Sequence, residues 1–237
     1  MHKIEQLLQD RILFLDGAMG TMIQKHKLTE ELYRGERFAD YQHNLKGNND
    51  LLSITQPHII SEIHNQFLEA GADIIETNSF NSTAVSMADY HMEFLVDELN
   101  IASAKLARNA ADAYTAKNPD KPRFVAGSIG PGTKLPSLGH IDFATLRDSY
   151  EEQARGLLDG GSDLFLIETC MDLLQIKAAM QACRRAMKIV GRDVPIQVQV
   201  TMETTGRMLV GTEIGAAYAS LQAMKPDVIG INCATGP

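Results

Sequence analysis

The chain has 237 residues, 44% hydrophobic and 22% charged, with a net charge of -8 at neutral pH. That length suffices for one domain with a full core, and the acidic balance excludes a nucleic-acid partner held on a basic face. No apolar run is long enough to span a membrane, the amino terminus lacks an apolar signal core, and three cysteines suit a reducing cytoplasm better than a disulfide framework.

The predicted elements repeat a strand-then-helix unit. Short β-branched or aromatic runs predict strands at residues 12–15, 73–75, 124–126, 164–167, 196–200 and 228–231. Helical stripes lie between them. After Pro57 come Ile60, Ile63 and Phe67, with Gly71 as the stop. Leu95, Leu99, Ala102, Leu106 and Ala113 form the next stripe. Phe143, Leu146, Tyr150, Ala154 and Leu157 then run to Gly160-Gly161. Asp172 is placed to cap a helix carrying Ile176, Met180, Cys183, Met187 and Val190, and Thr212 to cap one carrying Ile214, Ala217, Leu221 and Met224. Residues 24–53 fit neither period. So long a connection reads as an insertion over a functional mouth. The stretches 71–77 and 161–169 echo each other, both running through a strand to Glu-Thr.

Six such units imply a parallel α/β sheet. Polar residues recur at the strand ends: Asp16, Glu76, Ser128, Glu168, Thr201 and Cys233. They converge on one mouth only if the sheet curls into a TIM-type barrel, whose chemistry sits at the carboxyl face. A complete barrel has eight strands, so the expected domain, residues 1–237, is an incomplete (β/α)₈ barrel with about six units.

The glycines of Asp16-Gly17-Ala18-Met19-Gly20 let backbone N–H groups face a cavity, where they suit an anion. Asp16 beside them, with Glu168 across the mouth, suits a substrate ammonium, and Glu76 is a weaker candidate of the same kind. Together they fit a zwitterionic amino acid. A thiol at a strand end, Cys233, could ligate a metal, act as a nucleophile or simply pack. Cys183 falls in a helical stripe and reads as core; Cys170 reads as loop packing. The histidines show no metal spacing, and neither a dinucleotide fingerprint nor a phosphate loop is present.

The runs at 16–24, 47–52 and 71–80, together with Ile167-Glu168-Thr169 and Gly230-Ile231-Asn232-Cys233, resemble the homocysteine-binding domain family of cobalamin-dependent methionine synthases, from residue 10 onward. The resemblance implies a barrel in which zinc, held by three cysteines, activates homocysteine to accept the methyl group of methylcobalamin. It implies that Asp16 and Glu168 hold the substrate ammonium, that the Gly17–Ala18 backbone faces its carboxylate, and that Glu76, Thr77, Asn78 and Ser128 line the mouth. Cys233 would be the first zinc ligand. The family's other two cysteines lie in a later Gly-Gly-Cys-Cys-Gly run that this sequence does not contain, so the zinc site is expected to be incomplete and the chain inactive alone. Cobalamin and folate domains would be its partners in the full-length enzyme. The alternatives are a stand-alone homocysteine methyltransferase using betaine or S-methylmethionine, and a metal-free amino-acid-binding module.

Overall fold

The computed structural model describes residues 2–234. The elements run α1 (Lys3–Asp10), α2 (Met19–Lys25), α3 (Glu30–Arg34), α4 (Leu52–Thr55), α5 (Pro57–Ala70), β1 (Ile74–Glu76), α6 (Ala84–Met87), α7 (Val96–Lys117), β2 (Phe124–Ile129), α8 (Phe143–Asp159), β3 (Leu164–Cys170), α9 (Leu173–Val190), β4 (Ile196–Val200), α10 (Ile214–Met224) and β5 (Val228–Ile231). All strand pairs are parallel, and the sheet order is β1-β2-β3-β4-β5. A doubly wound sheet reverses its order at a switch point. This one never does, which is how a barrel is laid down.

Several predicted boundaries move. The first predicted strand, 12–15, survives only as a bridge from Leu15 to Ile74. Its backbone instead hangs on a half-buried ion pair: Asp73, with its side chain fully buried, accepts from both guanidinium nitrogens of the more exposed Arg11 at 2.8 and 2.9 Å and from the Phe14 N–H at 3.0 Å. Five strands and one bridge therefore stand where six strands were expected. Residues 24–53 are not structureless, since they hold the end of α2, all of α3 and the start of α4. Leu95 lies in a 3-10 turn ahead of α7, and α10 starts after Glu213 rather than Thr212. Three strands shift or lengthen, to 74–76, 124–129 and 164–170, and of the stripe read on α7 Ala113 is exposed and Ala102 and Leu106 are half-buried. Pro57 opens α5 and Gly71 ends it at φ +110°. Asp172 caps its helix as expected, accepting the Leu174 N–H at 2.8 Å, and Asp142, not singled out from the sequence, caps α8 by accepting the Thr145 N–H at 2.9 Å.

Alternation along the strands sorts side chains into two layers. Ile75, Val125, Ile129, Phe165, Ile167, Ile196, Val198 and Val200 face the helices. Ile74, Phe124, Ala126, Leu164 and Leu166 face inward, where Ile4 of α1 joins them. Continuing the inward series towards the carboxyl ends reaches Glu76 after Ile74, Ser128 after Ala126, and Glu168 after Leu166. The inner layer thus passes from hydrocarbon to carboxylate within one or two residues, and that change of polarity makes the mouth.

Candidate functional site

The mouth is a cavity of about 470 Å³ lined by the strand ends and by residues 47–50 ahead of α4. Asp16, Glu76 and Glu168 all line it. Both Asp16 oxygens accept the Glu76 N–H at 3.1 Å. Glu168, only 6% exposed, accepts the Ser128 hydroxyl on Oε1 at 2.6 Å and the Asn232 amide on Oε2 at 3.3 Å. Burial raises the Asp16 carboxyl to about 8, and the charge of Glu168 adds to the effect. Burial, then the charges of Glu168, Asp16 and Cys233, holds Glu76 well above the usual carboxylate range. Burial also raises Glu168, against the opposing Ser128 bond. Carboxylates a few ångströms apart repel by on the order of 3–4 kcal/mol at an effective dielectric near 20. Such a cluster ionises together only when a cation enters it.

A β-bulge aims part of this site. The β3–β4 register shifts between Ile167 and Cys170, and Thr169 takes φ +57°. The extra residue changes the strand's parity. Strict alternation would turn Cys170 inward with Glu168. Instead Cys170 packs in the helix-facing core at 1% exposure, and Glu168 and Thr169 both line the mouth.

The remaining sequence candidates separate by what their polar atoms do. Gly17 and Ala18 line the cavity with exposed backbone. Thr77 and Asn78 line it too, but their side chains are committed to neighbours. Thr77 Oγ1 lies 2.6 Å from Ser79 Oγ and accepts the Ser128 N–H at 2.9 Å. Asn78 donates to Asn49 O at 2.8 Å and to Ser53 Oγ at 3.1 Å, tying the insertion to the strand end. Thr201 is absent from the lining; its hydroxyl donates to Asn232 O at 3.0 Å. Gln199, an inward residue one turn of the pleat lower, lines the cavity in its place. Asp50 is not among the expected site residues, although it lies in the run 47–52 that carries part of the resemblance. It is buried at the mouth, pushed up to about 7 by burial, and accepts the Asn81 N–H at 3.2 Å.

Cys233 is exposed and lines the mouth, 3.7 Å from Thr169 Oγ1. Cys170 and Cys183 are sealed in the core, where burial pushes both thiols up. Among the described residues no group of three or more His, Cys, Asp and Glu side chains could hold a metal. Zinc takes three or four protein donors. One thiol does not complete such a centre, and the described residues do not fit one by themselves.

The family model described as homocysteine S-methyltransferase matches residues 13–237. The chain is 47% identical over 232 residues to a methionine synthase of Mycobacterium leprae and 46% identical over 231 residues to one of Mycobacterium tuberculosis. Each match covers 98% of this chain but only 18% of the relative's length. Among solved structures, the metallated form of the homocysteine methyltransferase MmuM from Escherichia coli superposes with a TM-score of 0.74 at 25% identity, covering 96% of this chain and 77% of that one. Its oxidised form superposes with the same TM-score at 75% coverage. Among the described residues no helix is long and apolar enough to cross a membrane.

Proposed function

The chain belongs to the homocysteine S-methyltransferase family, and from that premise we propose that its mouth is the homocysteine site of a methionine synthase working in the cytoplasm. The observation that carries the reading is the trio of buried Glu168 and half-buried Asp16 and Glu76 around one cavity with one exposed thiol. An ammonium supplies the cation the trio lacks. The Gly17 and Ala18 backbone faces the substrate carboxylate. The substrate sulfur extends towards Cys233, and residues 24–53 form a flap over it, supported by the contribution of residues 47–50 to the lining.

In the whole protein, a methylcobalamin carried on another domain would supply the methyl group that the homocysteine sulfur accepts in exchange for its proton, the cobalt keeping the bonding electron pair, and a folate domain would replenish that donor. Identity of 46–47% to two methionine synthases, against 25% to the stand-alone enzyme, supports this donor over betaine or S-methylmethionine. Zinc, when bound, would favour the thiolate over the thiol. Cys233 would be one ligand, with further donors from outside the described residues. The chain's own residues fix the amino and carboxylate ends, so that the sulfur presents one lone pair outward, an arrangement that lowers the entropic cost of methyl transfer.

The test is calorimetric titration of the full-length protein with homocysteine, with and without zinc. Saturable binding that weakens at least tenfold in Glu168→Gln is expected, since a hydrogen bond to a charged group is worth about 1.5–3 kcal/mol. Homocysteine that gives no binding heat in either condition sinks the reading. Equal binding with and without zinc supports instead the metal-free amino-acid module, the second reading that the single thiol at the mouth favours.

A further inference from the structure

Asn232 follows β5 by one residue and carries more hydrogen bonds than any lining role requires. Its backbone is clamped to β4: the N–H donates to Val200 O at 3.2 Å and the carbonyl accepts from Thr201 Oγ1 at 3.0 Å. Its side chain then reaches past β4 to the end of β3. Oδ1 accepts the Thr169 N–H at 2.8 Å. Nδ2 donates to Thr169 Oγ1 at 2.9 Å and to Glu168 Oε2 at 3.3 Å, and it lies 3.5 Å from Cys233 Sγ. Chemistry fixes the amide's orientation. A flipped side chain would set NH₂ against a backbone N–H and a carbonyl against a carboxylate.

We propose that Asn232 is a positioning residue that makes the mouth selective for the amino group of its substrate, by locking the Thr169 bulge and the Glu168 carboxylate into one unit.

Thr169 is β-branched and sits in a left-handed conformation that such residues rarely adopt. Its N–H, turned out of the ladder by the bulge, has Asn232 Oδ1 as its acceptor. Release of that bond lets the bulge relax, and the parity of β3 beyond Ile167 is then no longer fixed. Glu168 is gripped from two sides, by Ser128 of β2 on one oxygen and by Asn232 on the other. A carboxylate held at both oxygens cannot rotate, so its remaining lone pairs stay aimed at the cavity that Asp16 and Glu76 share. The selectivity part rests on the homocysteine reading above; the clamp itself does not.

Two ligands and two variants test it in the full-length protein. Homocysteine and 4-mercaptobutanoate differ only in the amino group. Wild type is expected to prefer homocysteine by about a hundredfold, two charge-assisted hydrogen bonds' worth. Asn232→Ala is expected to cut that preference at least tenfold while 4-mercaptobutanoate affinity changes less than threefold. Asn232→Asp keeps the acceptor for Thr169 and loses the donor to Glu168. It is expected to retain slow hydrogen exchange at the Thr169 amide and still lose the preference, whereas Asn232→Ala loses both. Equal weakening of both ligands, or an unchanged preference, overturns the proposal in favour of a merely structural tie. Wild-type protein that ignores homocysteine overturns the selectivity part together with the substrate reading. Thr169 exchange that is unaltered in Asn232→Ala overturns the clamp.

Discussion

Replacing Asp16 with asparagine and following homocysteine affinity against pH probes the carboxylate trio directly. Burial and the Glu168 charge raise the Asp16 carboxyl to about 8. An ammonium pairs with the ionised form, so below pH 8 binding must drive the Asp16 proton off. At pH 6 a group with a pKa of about 8 is roughly 1% ionised, and at pH 8 about half. The Asp16 contribution to affinity therefore grows about 50-fold over that range, or about 2.3 kcal/mol. The Asp16→Asn side chain has no proton to lose. The two proteins should bind almost equally at pH 6 and diverge most at pH 8. Titration calorimetry in buffers of different ionisation heat counts the protons, and the wild type should release nearly one more than the variant at pH 6.5. Deprotonation of the substrate thiol is common to both proteins and cancels; Glu76, which the Asp16 charge helps to raise, titrates lower in the variant. Equal slopes and equal proton counts would refute the reasoning. The free protein shows the opposite sign: the folded state keeps a proton that the unfolded chain releases above about pH 4, so this group's contribution to stability falls as pH rises from about 4 to about 8.

Thiol reagents under native conditions should modify Cys233 quickly and Cys170 and Cys183 only after unfolding, because only the first is exposed; two or three fast thiols in a stopped-flow trace would contradict this. Arg11→Ala should cost about 1–3 kcal/mol, less than a fully buried pair, because the guanidinium is partly solvated and Lys121 at 4.0 Å still faces the buried Asp73; a loss under about 0.5 kcal/mol in urea unfolding would show that the pair does not anchor the first segment. Gly160→Ala should cost about 1–3 kcal/mol by overpacking, its Cβ falling 2.8 Å from Ile101 O and against Ala104 of α7. Gly215→Ala, with nothing within 4 Å in α10, should instead be neutral or gain up to about 1 kcal/mol, and an equal loss at both sites would point away from packing.

The repeating units and the buried strands can be read from the sequence because both are local. Residues 196–200 and 228–231 match β4 and β5 residue for residue, since turn residues bound each run and both helix caps beside β3 act within three residues. The segment 12–15 departs from its predicted strand because apolar content alone does not make a ladder. Ile12 and Phe14 are 77% and 64% exposed, and what holds this segment is an Arg11–Asp73 pair spanning 62 positions. The insertion hides its structure for a related reason. Its turns are fixed by Glu30 accepting the Leu45 and Lys46 N–H groups, 15 and 16 residues away, and no periodicity reports such a bond.

For the site, residue type tells which side chains stand at strand ends but not which of their atoms are free. Asp16, Glu76 and Glu168 line the cavity with carboxyls that ionise together only beside a cation, whereas the Thr77 and Asn78 side chains are engaged by Ser79, Ser128, Asn49 and Ser53. Cys170, read from the sequence as loop packing, is instead the last residue of β3, where strict alternation would turn it to the face of Glu168. The bulge at Thr169 reverses that, removing one thiol from the mouth and leaving Cys233 as the exposed one. The bulge is stabilised by Asn232, 63 positions on, so the parity of β3 is decided by a residue of the last strand's end. A single hydrogen-bonded amide thus determines which sulfur and which carboxylate share the cavity, and a reading confined to local spacing has no access to that choice.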